Sequence, residues 1–178
     1  MNEENHPLSK FKYCPVCGSE EFKIDSFKSK KCKKCNFNYF YNASAGVPVF
    51  LRDKNDNLLL VKRKNNPAKG TLHVPGGFVD PGENAEKCAV REIKEETGLN
   101  IKESDLRYLF SLSNKYLYSD FIVTTIDIFL EGKIDSFDGA IPGDDAEDII
   151  IVKKNEVQPE KFGLESIRKG MEMYLKMP

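Results

Sequence analysis

The sequence predicts an α/β fold of the α+β kind, a mixed sheet sandwiched between helices and preceded by a separate cysteine-rich module. Three observations predict it. Four of the five cysteines fall in the first thirty-five positions, as two C-x-x-C pairs. From Ala43 onward, short alternating apolar runs separated by Asn, Asp, Gly and Pro read as strands and turns. Two longer stretches carry helical periodicity, one closed by Gly98 and one near the C-terminus.

The chain has 178 residues, 40% of them hydrophobic and 31% charged, enough for a packed core under a solvated surface. The net charge of −1 gives no global field favouring nucleic acid or an anionic membrane. No apolar run approaches the roughly 20 residues of a membrane span. Met1 to Lys10 contains no apolar stretch of the signal-peptide kind, so the expected location is cytoplasmic, where thiols stay reduced.

The first module is expected over residues 1–42, with a flexible tail leading into it. Cys14 and Cys17 form one pair and Cys32 and Cys35 the other, separated by the fourteen residues 18–31. Each C-x-x-C knuckle turns the chain so that two thiolates face one point, and four thiolates make a tetrahedral shell. The pattern is that of a structural Zn²⁺ ribbon. Redox pairs and disulfides compete with this reading. A redox pair comes singly at a helix start, and disulfides conflict with the compartment. Gly18 and Asn36 follow the second cysteine of each knuckle, where left-handed backbone is often needed. Glu21 to Asp25 and Phe27 alternate as a strand. So small a segment cannot bury enough surface to fold without its metal. Lys23, Lys28, Lys30, Lys31, Lys33 and Lys34 permit a nucleic-acid patch. The preferred reading is that they offset the zinc–thiolate charge and solvate the surface, so nucleic acid is not the expected partner. Phe37, Tyr39, Phe40 and Tyr41 are expected to pack the module against the next domain.

The second domain is expected over 43–178. Strands are predicted at Gly46–Leu51 and Leu58–Arg63, joined by the turn Asp53–Asn57. A short extended piece follows at Leu72–Val74, with His73 facing outward. A helix is predicted from Glu83 to Thr97, with Cys88 as a small buried position. Strands follow at Leu106–Leu112 and, as one long central strand largely buried on both faces, at Tyr116–Leu130. An acidic loop covers Phe137–Asp148, the last strand Ile149–Val152, and an amphipathic helix Gly163–Leu175.

Chemistry concentrates between Gly76 and Leu99. Glu92, Glu95 and Glu96 stand at i, i+3 and i+4, so their carboxylates leave one helical face. Such crowding of like charge is tolerated best around a cation. An all-oxygen donor set without His or Cys suits Mg²⁺ or Mn²⁺, and these ions bridge carboxylates to phosphate oxygens. Arg91 can orient a neighbouring carboxylate. Gly76 and Gly77 let the backbone come close to metal or phosphate, and a carbonyl there can be a ligand. The competing reading is a solvated acidic helix face.

The stretch Gly77-Phe-Val-Asp-Pro-Gly-Glu83, seven residues, then Arg91-Glu-Ile-Lys-Glu-Glu-Thr-Gly-Leu99 resembles the Nudix box, G-x5-E-x7-R-E-U-x-E-E-x-G-U, at every specified position. The resemblance covers about Ala43 to Leu175. It implies the Nudix fold and metal-dependent hydrolysis of a pyrophosphate bond in a nucleoside diphosphate linked to another moiety, such as ADP-ribose, a dinucleotide or FAD. It implies metal-ligand roles for Glu95 and Glu96, a ligand or base role for Glu92, a carbonyl from Gly76, and support from Glu83. The family often adds a late-loop acid. Asp144, Asp145, Glu147 and Asp148 are the candidates, with Asp145 and Glu147 put forward. A ribbon before such a domain is similar to the layout of NADH pyrophosphatases. Their S-Q-P-W-P-F-P-x-S element is replaced here by Ser111–Ser119, and the chain has no Trp, so NADH selectivity is not expected. Tyr116 and Tyr118 are candidates to stack a base, against the plainer reading of core or rim. A nucleotide-binding regulator without turnover and a hydrolase of capped RNA are the alternative functions. A homodimer is left open.

Overall fold

The computed structural model describes residues 3–118 and 120–178. The chain divides into two compact units. One comprises the described residues up to Ala43 with Asp120–Ile122, and the other comprises the rest.

In the first unit, strands β1 (Phe22–Ser26), β2 (Ser29–Cys32) and β3 (Asn38–Phe40) form an antiparallel sheet in the order β1-β2-β3. Its small core is Cys14, Phe22 and Cys32, with Cys17 and Phe37 packed against them. Both knuckles close as expected. The Gly18 amide donates to the Cys14 carbonyl at 2.9 Å and the Asn36 amide to Cys32 at 3.0 Å, with both residues left-handed. Lys30 departs from the expectation that all six lysines solvate the surface. It is 1% exposed, donates to the Phe11 carbonyl at 2.9 Å, and lies over the Phe22 ring.

The second unit is built on a seven-stranded mixed sheet. Its strands are β4 (Ser44–Gly46), β5 (Val49–Arg52), β6 (Asn57–Arg63), β7 (Leu72–His73), β8 (Leu106–Tyr118), β9 (Phe121–Lys133) and β10 (Ala146–Lys153). The order is β10-β6-β5-β9-β4, with β7 on β6 and β8 on β9. β4 and β5 run parallel to β9, while β6 is antiparallel to β5, β7 and β10. Helix α1 (Ala85–Thr97) and helix α2 (Glu165–Tyr174) serve two separate cores. Leu59, Val61 and Leu130 face Ile93 of α1. Leu58, Leu60 and Phe129 face Ile167 and Met171 of α2. The two-residue alternation of strands makes this division. No helix among the described residues is long and apolar enough to cross a membrane.

The sequence expectations are corrected at several places. The run 46–51 is two strands, because Val47-Pro48 interrupts it. The register to β9 nonetheless continues, Gly46 opposite Asp127 and Val49 opposite Leu130. The amides of Val47 and Val49 point away from β9 and donate to the carbonyls of Gly77 and Pro75, at 2.9 and 2.8 Å. The predicted 116–130 strand is instead the end of β8 and most of β9, with left-handed Asp120 between them. It is not buried on both faces either, since Ile122 and Ile126 are exposed. Helix α1 starts two residues later than predicted. Asn84 caps it, its side chain accepting from the Lys87 amide at 2.8 Å, and the helix ends at left-handed Gly98. His73 is buried rather than outward-facing. Burial and the charge of Arg63 push its pKa down to about 4, and its Nδ1 contacts the Val74 carbonyl.

Candidate functional site

The glycine loop lies where β4 and β5 leave backbone amides free for it. With Val47 and Val49 donating to Gly77 and Pro75, and the Val79 amide donating to Ala45, the loop 75–79 is sewn to the 45–49 segment. Gly76 has φ 138, and a Cβ there would collide with the Val47 carbonyl. Gly77 is needed for a different reason. A Cβ on it would occupy the space of the Glu92 carboxylate. The loop therefore brings bare backbone against the acidic face of α1.

Arg91 organises that face. Its Nε and Nη2 each donate to one oxygen of Glu83 at 2.9 Å, a bidentate pair. Its Nη1 donates to Glu92 at 2.7 Å and to Glu95 at 3.0 Å, and Nη2 also donates to the Phe78 carbonyl at 3.0 Å. Hydrogen bonds from Arg91 first, and from the Asp80 amide, pull the Glu83 pKa down to about 2. The bonds to Glu83 first, and then those to Glu92 and Glu95, raise that of Arg91 against its desolvation. Burial pushes Glu92 upward against the pull of Arg91. Because α1 begins at Ala85, Glu83 precedes the helix and reaches Arg91 from the loop.

Glu96 is different. It is 7% exposed, and its Oε2 accepts from the Gly76 amide at 2.9 Å. Arg91 makes no hydrogen bond to it among the described residues. Burial pushes its pKa up to about 8, with the charges of Glu92 and Asp145 adding to the shift and the Gly76 amide and Arg63 opposing it. A buried carboxylate this poorly compensated fits a divalent cation, and its neighbours Glu92 and Glu95 offer further hard oxygens.

Two late-loop acids bear on this cluster. Asp144, left-handed at φ 43, acts on Glu92 by its charge, and Asp145 acts on Glu96. Asn65 Nδ2 donates to Asp145 at 2.6 Å, and Lys64 donates to the Asp144 carbonyl at 3.2 Å. Glu147 instead pairs with Lys62 at 3.2 Å, and Asp148 accepts from the Ile149 amide at 2.8 Å. Arg63 and Asn65 carried no signal in the sequence, since each becomes relevant only where the loop after β6 meets the loop before β10. Cys88 is buried as expected, its thiol 3.4 Å from the Phe78 carbonyl and pushed up to about 12 by burial and Glu92. Tyr118 is exposed on β8. The side chain of Tyr116 lies outside the described residues.

In the first unit, the sulfurs of Cys14, Cys17, Cys32 and Cys35 all lie within 4.8 Å of one another, a set able to hold a metal ion. Cys14–Cys35 and Cys17–Cys32 are each 3.6 Å apart, and none is in a disulfide. Backbone amides, that of Cys35 foremost, draw the Cys32 thiol down to about 6. The Phe37 amide draws Cys35 the same way. Desolvation and the three neighbouring sulfurs nonetheless push it up to about 12.

The NUDIX domain profile matches residues 42–171. The chain belongs to the Nudix family. The chain is 54% identical over 59 residues to the ADP-ribose pyrophosphatase of Methanocaldococcus jannaschii, a match covering 33% of this chain and 35% of that protein. It is 33% identical over 107 residues to the NAD-capped RNA hydrolase NudC of Photobacterium profundum, covering 60% and 39%. These matches thus span little more than a third of each relative's length. The crystal structure of a Nudix hydrolase from Nitrosomonas europaea superposes with a TM-score of 0.68 at 20% identity, covering 93% of this chain and 90% of that one. It shows the shared fold.

Proposed function

We propose that the chain is a Mg²⁺- or Mn²⁺-dependent pyrophosphohydrolase acting on a nucleoside diphosphate linked to another moiety, with an ADP-ribose-type compound as the preferred class. One observation carries the reading. Glu96 accepts from the Gly76 amide, Glu92 lies against Gly77, and Arg91 ties Glu92 to Glu95, while among the described residues no hydrogen bond from Arg91 reaches the buried Glu96.

Glu95, Glu96 and Glu92, with the Gly76 carbonyl, would hold the metal. When bound, it supplies charge neutralisation on the phosphate oxygens as the bond to the leaving group breaks. The protein's own groups do the rest. Arg91, anchored on Glu83, fixes the rotamers of Glu92 and Glu95. Glu92, pushed upward by burial against the pull of Arg91, serves either as a metal ligand or as the base that takes a proton from the attacking water. Asp144 and Asp145 add negative charge at the rim of the cluster and strengthen its hold on a cation.

The cysteine cluster takes Zn²⁺ as a structural ion. A tetrahedron of Zn–S bonds near 2.3 Å has edges of about 3.8 Å, and the Cys14–Cys35 and Cys17–Cys32 separations of 3.6 Å come close to that.

The name of the Methanocaldococcus jannaschii relative supports the ADP-ribose class. The test is a panel of ADP-ribose, dinucleotides, FAD, nucleoside triphosphates and NAD-capped RNA with Mg²⁺ or Mn²⁺, products resolved by mass. A nucleoside monophosphate and the second phosphorylated moiety are expected, with ADP-ribose leading. Absence of turnover on every compound would leave a nucleotide-binding regulator. NADH leading by a hundredfold in kcat/KM would overturn the substrate class.

A further inference from the structure

The ribbon sheet has a face that the cysteine cluster does not use. Phe22 and Cys32 lie toward the core with Lys30 over the Phe22 ring, while the register sets Lys23, Lys31 and Asn38 together and Phe40 opposite the buried Ser29. The register sets Lys23 directly across from Lys31 on the neighbouring strand. Like charges in that relation destabilise an antiparallel pair. From residue 22 to residue 41 there is one acid, Asp25, against six lysines. Asp25 accepts from Ser29 and Asn38, both at 3.3 Å. Glu21 approaches Lys23 no closer than 3.9 Å, and both side chains are solvated.

The same unit exposes aromatic rings that folding has left in water. Phe27, in the β1–β2 turn, is 68% exposed with the Lys28 ammonium 6.0 Å from its ring centre, and Phe40 on β3 is 47% exposed. Lys33 and Lys34, between the second pair of cysteines, are exposed as well. A strand of four to five residues at about 3.3 Å each gives a track of roughly 15 Å. Cations spaced along such a track beside open rings are the chemistry that holds a phosphodiester backbone and stacks its bases. An acidic protein partner would use the lysines and leave the rings idle.

We infer that this side of the ribbon, Lys23, Lys31 and Phe40 on the sheet with Lys28 and Phe27 in the adjoining turn, binds single-stranded RNA without sequence preference. The lysines neutralise phosphates and the two rings stack bases. This inference does not rest on the hydrolase reading.

The experiment uses the full zinc-loaded chain without added Mg²⁺ and a fluorescein-labelled single-stranded RNA of about twelve nucleotides, followed by anisotropy between about 50 and 200 mM salt. Wild type should bind with affinity that falls steeply with salt. Lys23→Glu with Lys31→Glu should weaken binding at least tenfold at the lower salt. The milder Lys23→Gln with Lys31→Gln should reduce the log–log salt slope by about 1.4, two phosphate contacts' worth for a single strand. Phe27→Ala and Phe40→Ala should each weaken binding between about fivefold and a hundredfold while leaving that slope alone. Zinc content and melting temperature report whether each variant is folded, and ADP-ribose hydrolysis should be unchanged in all of them. No binding by wild type at the lower salt overturns the inference. So does binding that the glutamine pair leaves unaltered. Binding lost with the lysines but indifferent to both phenylalanines, and matched by heparin, overturns it in favour of a merely basic surface.

Discussion

Two glutamates four positions apart in the chain behave oppositely toward Arg91. Glu92 is bonded to it and Glu96 is not, although both lie on the same face of α1. Burial raises Glu96 to about 8, so between its ordinary value of 4.5 and about 8 the folded protein holds a proton that the unfolded chain has released. Stability therefore falls with rising pH through that window, the reverse of an ion-paired acid. Glu96→Gln removes the liability. With zinc retained and no Mg²⁺ added, the variant should melt at the same temperature as wild type near pH 5 and above it near pH 8. It should also lose activity by orders of magnitude, because the cation no longer has its buried ligand. Added Mg²⁺ should raise the wild-type melting temperature and do so less for Glu96→Gln. Equal activity in the two proteins would rule the assignment out. The spacing of the three carboxylates was legible in the sequence. The unequal partnership was not, because it depends on Glu83 preceding the helix and on the Gly76 amide facing Glu96.

At the scale of elements, the loop 75–79 is held by backbone groups and shaped by two glycines with different duties. Gly76→Ala would force a left-handed residue against the Val47 carbonyl, which is backbone and cannot move aside. A cost of about 1–3 kcal/mol follows, or a fall of roughly 2–12 °C in melting temperature for a chain of this size. Gly77→Ala meets only the flexible end of Glu92. The fold should survive with a melting temperature within about 2 °C of wild type, while kcat drops because Glu92 is displaced. Differential scanning fluorimetry and steady-state kinetics on the two variants separate these effects. Equal thermal losses would refute the distinction. Periodicity made both helices and most strands readable, and Gly98 marked the end of α1. It failed at the β8–β9 hairpin, where apolar alternation runs on through Ser119 and Asp120 without Gly or Pro. It failed again at 46–51, where Val47-Pro48 looks apolar enough to continue a strand. His73 was misplaced because a two-residue strand shows no alternation from which to tell its faces.

Across the whole molecule, the two units depend on different forces. The larger has two cores, one under each helix, with more than a dozen buried apolar side chains between them. Burial on that scale sustains a domain by itself. The smaller unit's metal-side core is Phe22, Phe37 and the cysteines themselves. Thiolates brought this close repel one another without a cation between them, and the neighbouring sulfurs push the Cys35 thiol upward. The sequence had already pointed to this through its two C-x-x-C pairs. It gave no sign that the sheet between them would bury Lys30. Removing the metal should therefore dissolve the smaller unit first. Chelation is expected to release one Zn²⁺ per chain and to expose four thiols to a colorimetric reagent, while the buried Cys88 stays unreactive. Amide exchange should quicken across β1–β3 and remain slow in β5, β6 and α1. Cys35→Ser should mimic chelation, because three thiolates hold the ion far less well than four. Release of no zinc, with all four thiols reactive from the start, would remove the metal from this account. Simultaneous loss of protection in both units would show that the larger one is not self-sustaining.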